Sequence, residues 1–366
     1  MLRSTGLGAT KTTDFCESKH RDFTPAALGS GQSFAASCIN GGNADFSDIR
    51  KIGLDDIIGE ERVGNFANQL VAGIRILDLK IDSSLVQNLI ANQFPDLCSL
   101  PVMPIKKQGH DNRTFRLGDE LTVRLPSHPL YADAVQKEAI ALEALNGQLS
   151  VEIPKIFGLG KPSKEYQLPW SIRHWLAGET LEDTQVCDKS SLARSFGEVL
   201  VELQSVPADI FLSAGKHSFY RGCHPSVYSD EVIESLRRMG DPTKKKQCLE
   251  IWQRGMMSAW SNAPVWFHGD LAVGNVLMKG ETISALIDFG TCGVGDPACD
   301  LTIAWTYFDA MTRQHFREAA KVDDNTWSRA KAWALWKALV SINGLSGPDT
   351  EGVQARALGE IINDDC

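Results

Sequence analysis

No run in this chain approaches the ~20 consecutive apolar residues a helix needs to cross a bilayer, so no membrane partner is expected. Its nine cysteines, at 16, 38, 98, 187, 223, 248, 292, 299 and 366, contain no C-x-x-C pair and are odd in number. That argues against a disulfide framework or a zinc site and for reduced thiols in a cytoplasmic setting. Basic charge is scarce as well: 37 Lys and Arg stand against 46 Asp and Glu, a formal charge of −9. Phosphate backbones need a positive surface, so a general nucleic-acid binder is not expected. The opening MLRSTGLGATKTTDFCESKHR lacks the apolar core of a signal peptide; its Ser/Thr content and basic residues have some transit-segment character, against which Asp14 and Glu17 count.

What is present is a chain of 366 residues, 43% hydrophobic, long enough for two lobes around a cleft. Residues 1–73 read as an irregular, poorly ordered extension. Their first fifty or so are rich in Gly, Ser, Ala and Asn without a period of 2 or 3.6. In 74–177, IDSSLVQNLIANQF predicts a helix capped by Asp82 or Ser83, with Leu85, Leu89 and Phe94 on one face. FRLG and ELTVRLP predict a hairpin about Gly118-Asp119. DAVQKEAIALEALNG predicts a helix with Asp133 as N-cap and Gly147 past its end. IPKIFGLG and QLPWSIRHWL add two strands. From 178 to 366 the pattern turns mostly helical. SSLARSFGEVLVELQSV places Leu192, Phe196, Leu200 and Leu203 at helical spacing, and DNTWSRAKAWALWKALVSI is a further helix. Between them VWFHG, NVLM and ISALIDFG are short strands, the last two joined by Lys279-Gly280. The expected class is α+β: a small strand-rich lobe, a link near Ala177-Gly178, and a larger helical lobe, with a ligand cleft between them.

Glu138 falls inside the apolar arc of Val135, Leu142 and Leu145 on a helical wheel, where a carboxylate needs a cation. Arg124, in the apolar run Leu121-Thr122-Val123-Arg124-Leu125, is the expected partner. In HGDLAVGN, Asp270 and Asn275 are five residues apart, the Asp-to-Asn spacing of the kinase catalytic loop H-R-D-L-x-x-x-N. Thirteen residues further, after a hairpin, IDFG supplies Asp288. A hairpin would return Asp288 to Asn275, giving a pair of hard oxygens suited to Mg²⁺. Each piece alone is weak; their order and spacing together are not.

The chain resembles the aminoglycoside phosphotransferase family, the small-molecule branch of the protein-kinase-like fold. The residues that carry the resemblance are Val265-Trp266-Phe267-His268-Gly269-Asp270-Leu271, Gly274-Asn275, Ile287-Asp288-Phe289-Gly290 and Gly295-Asp296-Pro297-Ala298-Cys299-Asp300-Leu301. It implies a bilobal fold, with an N-lobe over 74–177 and a C-lobe over 178–366. It implies ATP as donor, with GTP as an alternative, Mg²⁺, and a small-molecule hydroxyl as acceptor. Asp270 would be the base, Asn275 and Asp288 the metal ligands, and Arg124 the phosphate-contacting residue held by Glu138. His268, Asp296 and Asp300 would support the loop. Gly109 to Thr114, Asn112 among them, would cover the phosphates, and adenine would lie against the segment that Arg173 opens, at His174, Trp175 and Leu176, although Trp175 equally suits plain core packing. Ala272-Val273 stand where His-Pro is frequent in the family, and Arg124 where many kinase-fold enzymes have Lys.

Only eleven residues separate Asp288 from Asp300 and no A-P-E follows, which favours a small acceptor over a peptide. Trp305, Asp309, Trp333 and Trp336 are candidates for its pocket, though such tryptophans are more often core. Asp309 and the net charge favour a cationic, aminoglycoside-like acceptor. Alternatives are a kinase of another metabolite or a macrolide, a nucleotide-binding pseudoenzyme or regulatory module, and a metal-dependent hydrolase using His268 and Asp270. A monomer or dimer is expected.

Overall fold

The computed structural model describes residues 80–109, 111–209, 211–345, 349 and 352–364; the extension expected over 1–73 lies outside them. The carboxylate of Asp82 accepts from the Ser84 and Leu85 N–H groups at 3.1 Å and so caps α1 (Ser83–Gln93). That helix buries Val86, Leu89 and Ile90, while Leu85 and Phe94 only flank the contact. Beneath it β1 (Val102–Pro104), β2 (Asn112–Leu117) and β3 (Leu121–Pro126) begin an antiparallel sheet. After α2 (Ala132–Leu145), β4 (Ile156–Gly160) and β5 (Trp170–His174) complete it in the order β1-β2-β3-β5-β4. The β2–β3 turn is made at Gly118, whose φ of +59° few other residues adopt. β1 has no counterpart in the sequence reading, being three residues long and mostly exposed.

Asp133 is not the N-cap of α2. A 3-10 turn, Pro129–Tyr131, runs straight into the helix, leaving Tyr131 at the cap and Asp133 within the first turn. There its charge still meets the positive end of the helix dipole. The apolar Ala141, Leu142 and Leu145 of α2 join the core of the helical part rather than that of the sheet.

The remainder follows as β6 (Glu179–Thr180), α3 (Lys189–Ser205), α4 (Ser229–Arg238), α5 (Pro242–Met256) and β7 (Val265–Phe267). Then come β8 (Val276–Lys279), β9 (Thr282–Leu286), β10 (Gly293–Gly295), α6 (Ile303–Thr306), α7 (Ala310–Ala319), α8 (Asp324–Ile342) and α9 (Val353–Asn363). Leu192, Phe196, Leu200 and Leu203 of α3 are all buried, as their spacing demands. α8 is buried nearly all round, since α5, α9 and the turn Pro297–Thr302 enclose it. Two small sheets, β10-β7 and β6-β8-β9, carry the polar loops described next. Among the described residues, no helix is long and apolar enough to cross a membrane. The result is an α+β fold with its sheet in the N-terminal part and its helices in the C-terminal part.

Candidate active site

β7 pairs antiparallel with β10, and the chain leaves β7 at His268. Both oxygens of Asp300 face this exit: Oδ2 accepts the His268 N–H at 2.6 Å and Oδ1 the Gly269 N–H at 2.7 Å. Burial pushes the Asp300 carboxyl up, against the pull of the two N–H donors. The His268 ring is fully buried against Phe289, with centroids 4.5 Å apart. Its Nε2 donates to the Ile287 carbonyl at 3.0 Å and its Nδ1 accepts the Asp270 N–H at 3.3 Å, a pattern that requires the neutral Nε2–H tautomer. Asp296 caps the Pro297–Thr302 turn through the Ala298 N–H and pairs with Arg329 of α8 at 2.6 Å. His268, Asp296 and Asp300 thus surround one loop from beneath.

Above them Asp270 is exposed. Asn275 Nδ2 donates to the Asp270 carbonyl at 2.8 Å and to its Oδ2 at 3.1 Å. With its NH₂ so engaged, the Asn275 carboxamide oxygen has no hydrogen bond to protein among the described residues. Ile287 N–H donates to the Asn275 carbonyl at 2.9 Å, so the β8–β9 hairpin returns Asp288 beside Asn275. Asp288 is left-handed at φ 69°, a conformation Asp tolerates better than most residues. Its Oδ1 meets Arg124 Nη2 at 2.6 Å, while Oδ2 has no protein partner among the described residues. One carboxamide oxygen and one carboxylate oxygen on adjacent strand ends fit Mg²⁺, which takes few protein ligands and completes its shell with water and phosphate. Among the described residues no three His, Cys, Asp or Glu side chains cluster as metal ligands, so a hydrolase-type ligand set built on His268 and Asp270 finds no support.

The basic side of the site departs from expectation. Glu138 is 2% exposed, but its principal partner is Arg173, not Arg124. Arg173 grips both carboxylate oxygens at 2.8 Å, and the Phe289 N–H adds a third bond at 3.0 Å. Arg124 approaches Glu138 only to 3.6 Å and makes its short contact with Asp288. The cause is register. Thr122 pairs with Arg173 and Arg124 with Ser171, so both guanidiniums lie on the sheet face toward α2 and divide the acids between them. Burial alone would raise the Glu138 pKa; the charges of Arg173 and Arg124 outweigh it and hold the carboxyl at about 2. Burial likewise opposes the Arg124 charge, and Asp288 and Glu138 overcome it. The sequence places Arg173 only at the head of the segment expected against adenine and gives its side chain no partner. The available signal was alternation in WSIRH, which sets Ser171 and Arg173 opposite Trp170 and Ile172.

Asn112 opens β2, and its carboxamide oxygen accepts from Arg124 Nη2 at 3.0 Å and Nε at 3.3 Å. Asp111 alongside hydrogen-bonds Tyr131. His110 of the expected phosphate loop lies outside the described residues. At the end of β5, His174 and Trp175 already donate their N–H groups to Lys155 O and Glu120 O, at 2.9 and 2.7 Å. Of the three residues expected to read adenine, only Leu176 keeps its N–H out of such bonds. Trp175 is not core: it is 41% exposed, with Arg116 stacked at 4.1 Å. Nor do the pocket candidates behave alike. Trp305 is buried and donates to Asp364, Asp309 caps α7, and Trp333 and Trp336 lie buried beneath Arg221.

Lys137 was not anticipated either. It is 2% exposed, and its ammonium donates to the carbonyls of His217 at 3.0 Å and Cys292 at 3.2 Å. With Glu138 on Phe289, two successive residues of α2 therefore bind the helical part.

A strand-rich lobe with a paired arginine and glutamate, set over a helical lobe with an Asp–Asn loop and a returning Asp, defines a kinase-like phosphotransferase. The chain belongs to the APH phosphotransferase enzyme family, whose model matches residues 103–333. Among solved structures it resembles an aminoglycoside 2'-phosphotransferase-IIIa in its GDP complex, at 18% identity and a TM-score of 0.63, covering 78% of this chain and 100% of the other. A GDP and kanamycin complex of an APH(2'') enzyme is similar, at 19% identity and a TM-score of 0.60, covering 76% of this chain and 98% of that one. So is a macrolide 2'-phosphotransferase of type I, at 20% identity and a TM-score of 0.54, covering 77% and 97%. At such identities the likeness is one of fold. No curated protein matches the sequence significantly.

Proposed function

We propose that the chain transfers the γ-phosphoryl group of ATP, in a Mg²⁺-dependent reaction, to a hydroxyl of a small molecule, with Asp270 as the base. The observation that carries this reading is the clasp of Asn275 on Asp270, beside which the β8–β9 hairpin sets Asp288. Arg124, oriented by Asn112, meets the phosphates, and Glu138 with Arg173 fixes the α2 side of the site. Asn275 and Asp288 would hold Mg²⁺, which would supply charge neutralisation at the phosphates. As the acceptor oxygen bonds to phosphorus, its proton passes to the Asp270 carboxylate and the bond from the γ-phosphorus to the ADP oxygen breaks. The adenine lies against His174, Trp175 and Leu176, where the Leu176 N–H is the remaining donor; GTP is the alternative donor.

Family resemblance puts an aminoglycoside-like acceptor first and a macrolide or other metabolite second. Asp309, one of the acids that favour a cationic acceptor, caps α7 and keeps its charge. The deciding experiment is Asp270→Ala with Mg-ATP and an acceptor that stimulates the wild type. Transfer should fall by ~10²–10⁴-fold while calorimetric Mg-ATP binding persists. Undiminished turnover would refute the assignment.

A further inference from the structure

Among the described residues, two cations near the catalytic loop, Arg221 and Lys337, have no carboxylate in ion-pair contact. Arg221 lies over Trp336 at 4.8 Å and Trp333 at 5.6 Å, and its Nη1 donates to the Phe219 carbonyl at 3.0 Å and the Tyr228 hydroxyl at 3.4 Å. All of these partners are neutral. The backbone fixes where it stands. Gly222, at φ +81°, lies so close to the Phe267 ring that a Cβ would come within 2.0 Å of it, and its carbonyl accepts the Asp296 N–H at 2.8 Å. Phe267 ends β7 three residues before Asp270. Before Arg221, Phe219 and Tyr220 are both left-handed, at φ 48° and 55°, a strained pair of bulky residues of the kind held in place at ligand sites. The exposed Phe219 ring reaches to 6.5 Å from Tyr131, the residue that hydrogen-bonds Asp111. This loop therefore crosses from the base of the catalytic loop to the edge of the sheet.

Lys337 closes the arrangement from α8, one residue past Trp336. It is half-buried and within electrostatic range of Arg221, Asp270 and Asp111. Each nearby acid has another partner: Asp270 accepts from Asn275 at 3.1 Å, Glu231 accepts the Trp336 Nε1–H at 2.7 Å, Asp111 is tied to Tyr131, and Asp296 is paired with Arg329. Half-buried positive charge without a close counter-ion is costly, and an arriving anion would relieve it. A polycationic acceptor would add to the repulsion.

We propose that Arg221 and Lys337 form an anion-binding subsite of the acceptor pocket, so that the acceptor is a hydroxylated small molecule bearing a carboxylate or phosphate. This rests on Asp270 being the base of a phosphotransferase. The test uses the full chain loaded with Mg²⁺ and a non-hydrolysable ATP analogue, which fills the nucleotide's own phosphate positions. Inorganic phosphate and acetate are titrated separately by calorimetry, and saturable binding by one identifies which oxyanion the subsite takes. Lys337→Met, which removes no hydrogen bond, and Arg221→Gln should each weaken that binding by about tenfold or more, the worth of a charge-assisted contact. No saturable binding in the wild type, or unchanged binding in both variants, would overturn the proposal. In a parallel ATP-consumption assay glucuronate or glucose 6-phosphate should stimulate more than glucose, and glucosamine least. Stimulation by kanamycin that both variants leave unchanged would also overturn it, while the phosphotransferase reading stood. Failure of the analogue itself to bind would instead refute that reading.

Discussion

Replacing Arg173 by Met tests the partition of charge around Glu138 most directly. The substitution removes two hydrogen bonds of 2.8 Å from a carboxylate that is 2% exposed. Breaking a buried ion pair from one side costs roughly 3–5 kcal/mol, because the remaining charge stays desolvated. Two features pull the figure toward the lower bound. The Phe289 N–H stays on Glu138, and Arg124, at 3.6 Å, can close on it. The expected loss is therefore ~3 kcal/mol, read as the shift of a urea unfolding midpoint at constant slope. Arg124→Met should cost clearly less stability, since the Arg173 fork survives it, and should instead weaken Mg-ATP binding. A Glu138→Gln background should absorb part of the Arg173→Met loss, with a coupling of ~1–3 kcal/mol. If Arg124→Met destabilised more than Arg173→Met, or if Arg173 and Glu138 proved additive, the assignment of Arg173 as the principal partner would be wrong.

Two further outcomes follow from the same geometry. Burial, and then the Lys137 charge, draw the His217 imidazole down to about 4 from 6.5, so the folded protein keeps it neutral where the unfolded chain takes up a proton. Its contribution is complete above pH 6.5 and drains as pH falls toward 4. Glu138, depressed to about 2 from 4.5, adds a second loss only below pH 4.5. Unfolding midpoints measured from pH 7 to 3 should show the upper window shrink in His217→Asn to the part contributed by His224, whose imidazole burial also draws down, and an unchanged profile would refute the neutral, half-buried role of His217. Gly269→Ala should destabilise by more than ~1 kcal/mol and depress turnover, because φ is +85° and the new Cβ would lie 2.6 Å from the Thr291 carbonyl. A variant of wild-type stability and activity would show that the loop has another conformation available.

The catalytic loop could be read in the sequence because its polar residues interrupt apolar runs. Nothing but a turn fits between VWF and NVLM, and the hairpin that follows has one way to return its end. The fold class followed from the same local periodicities. The cationic half of the site was not local. Whether Arg124 or Arg173 takes Glu138 depends on Thr122 facing Arg173, 51 residues further on, across two strands, a register no single segment encodes. The helical wheel of α2 misled in a related way, since it assumes one buried face. α2 is enclosed by the sheet on one side and the helical part on the other, so Lys137 and Glu138, neighbours 100° apart on the wheel, are both buried. Enclosure also explains α8, whose tryptophans became floor rather than wall, leaving Arg221 from a distant loop as the group above them. If Arg221 and Lys337 form the proposed anion subsite, acceptor choice in this chain lies with residues that belong to no motif and whose role only the packed structure defines.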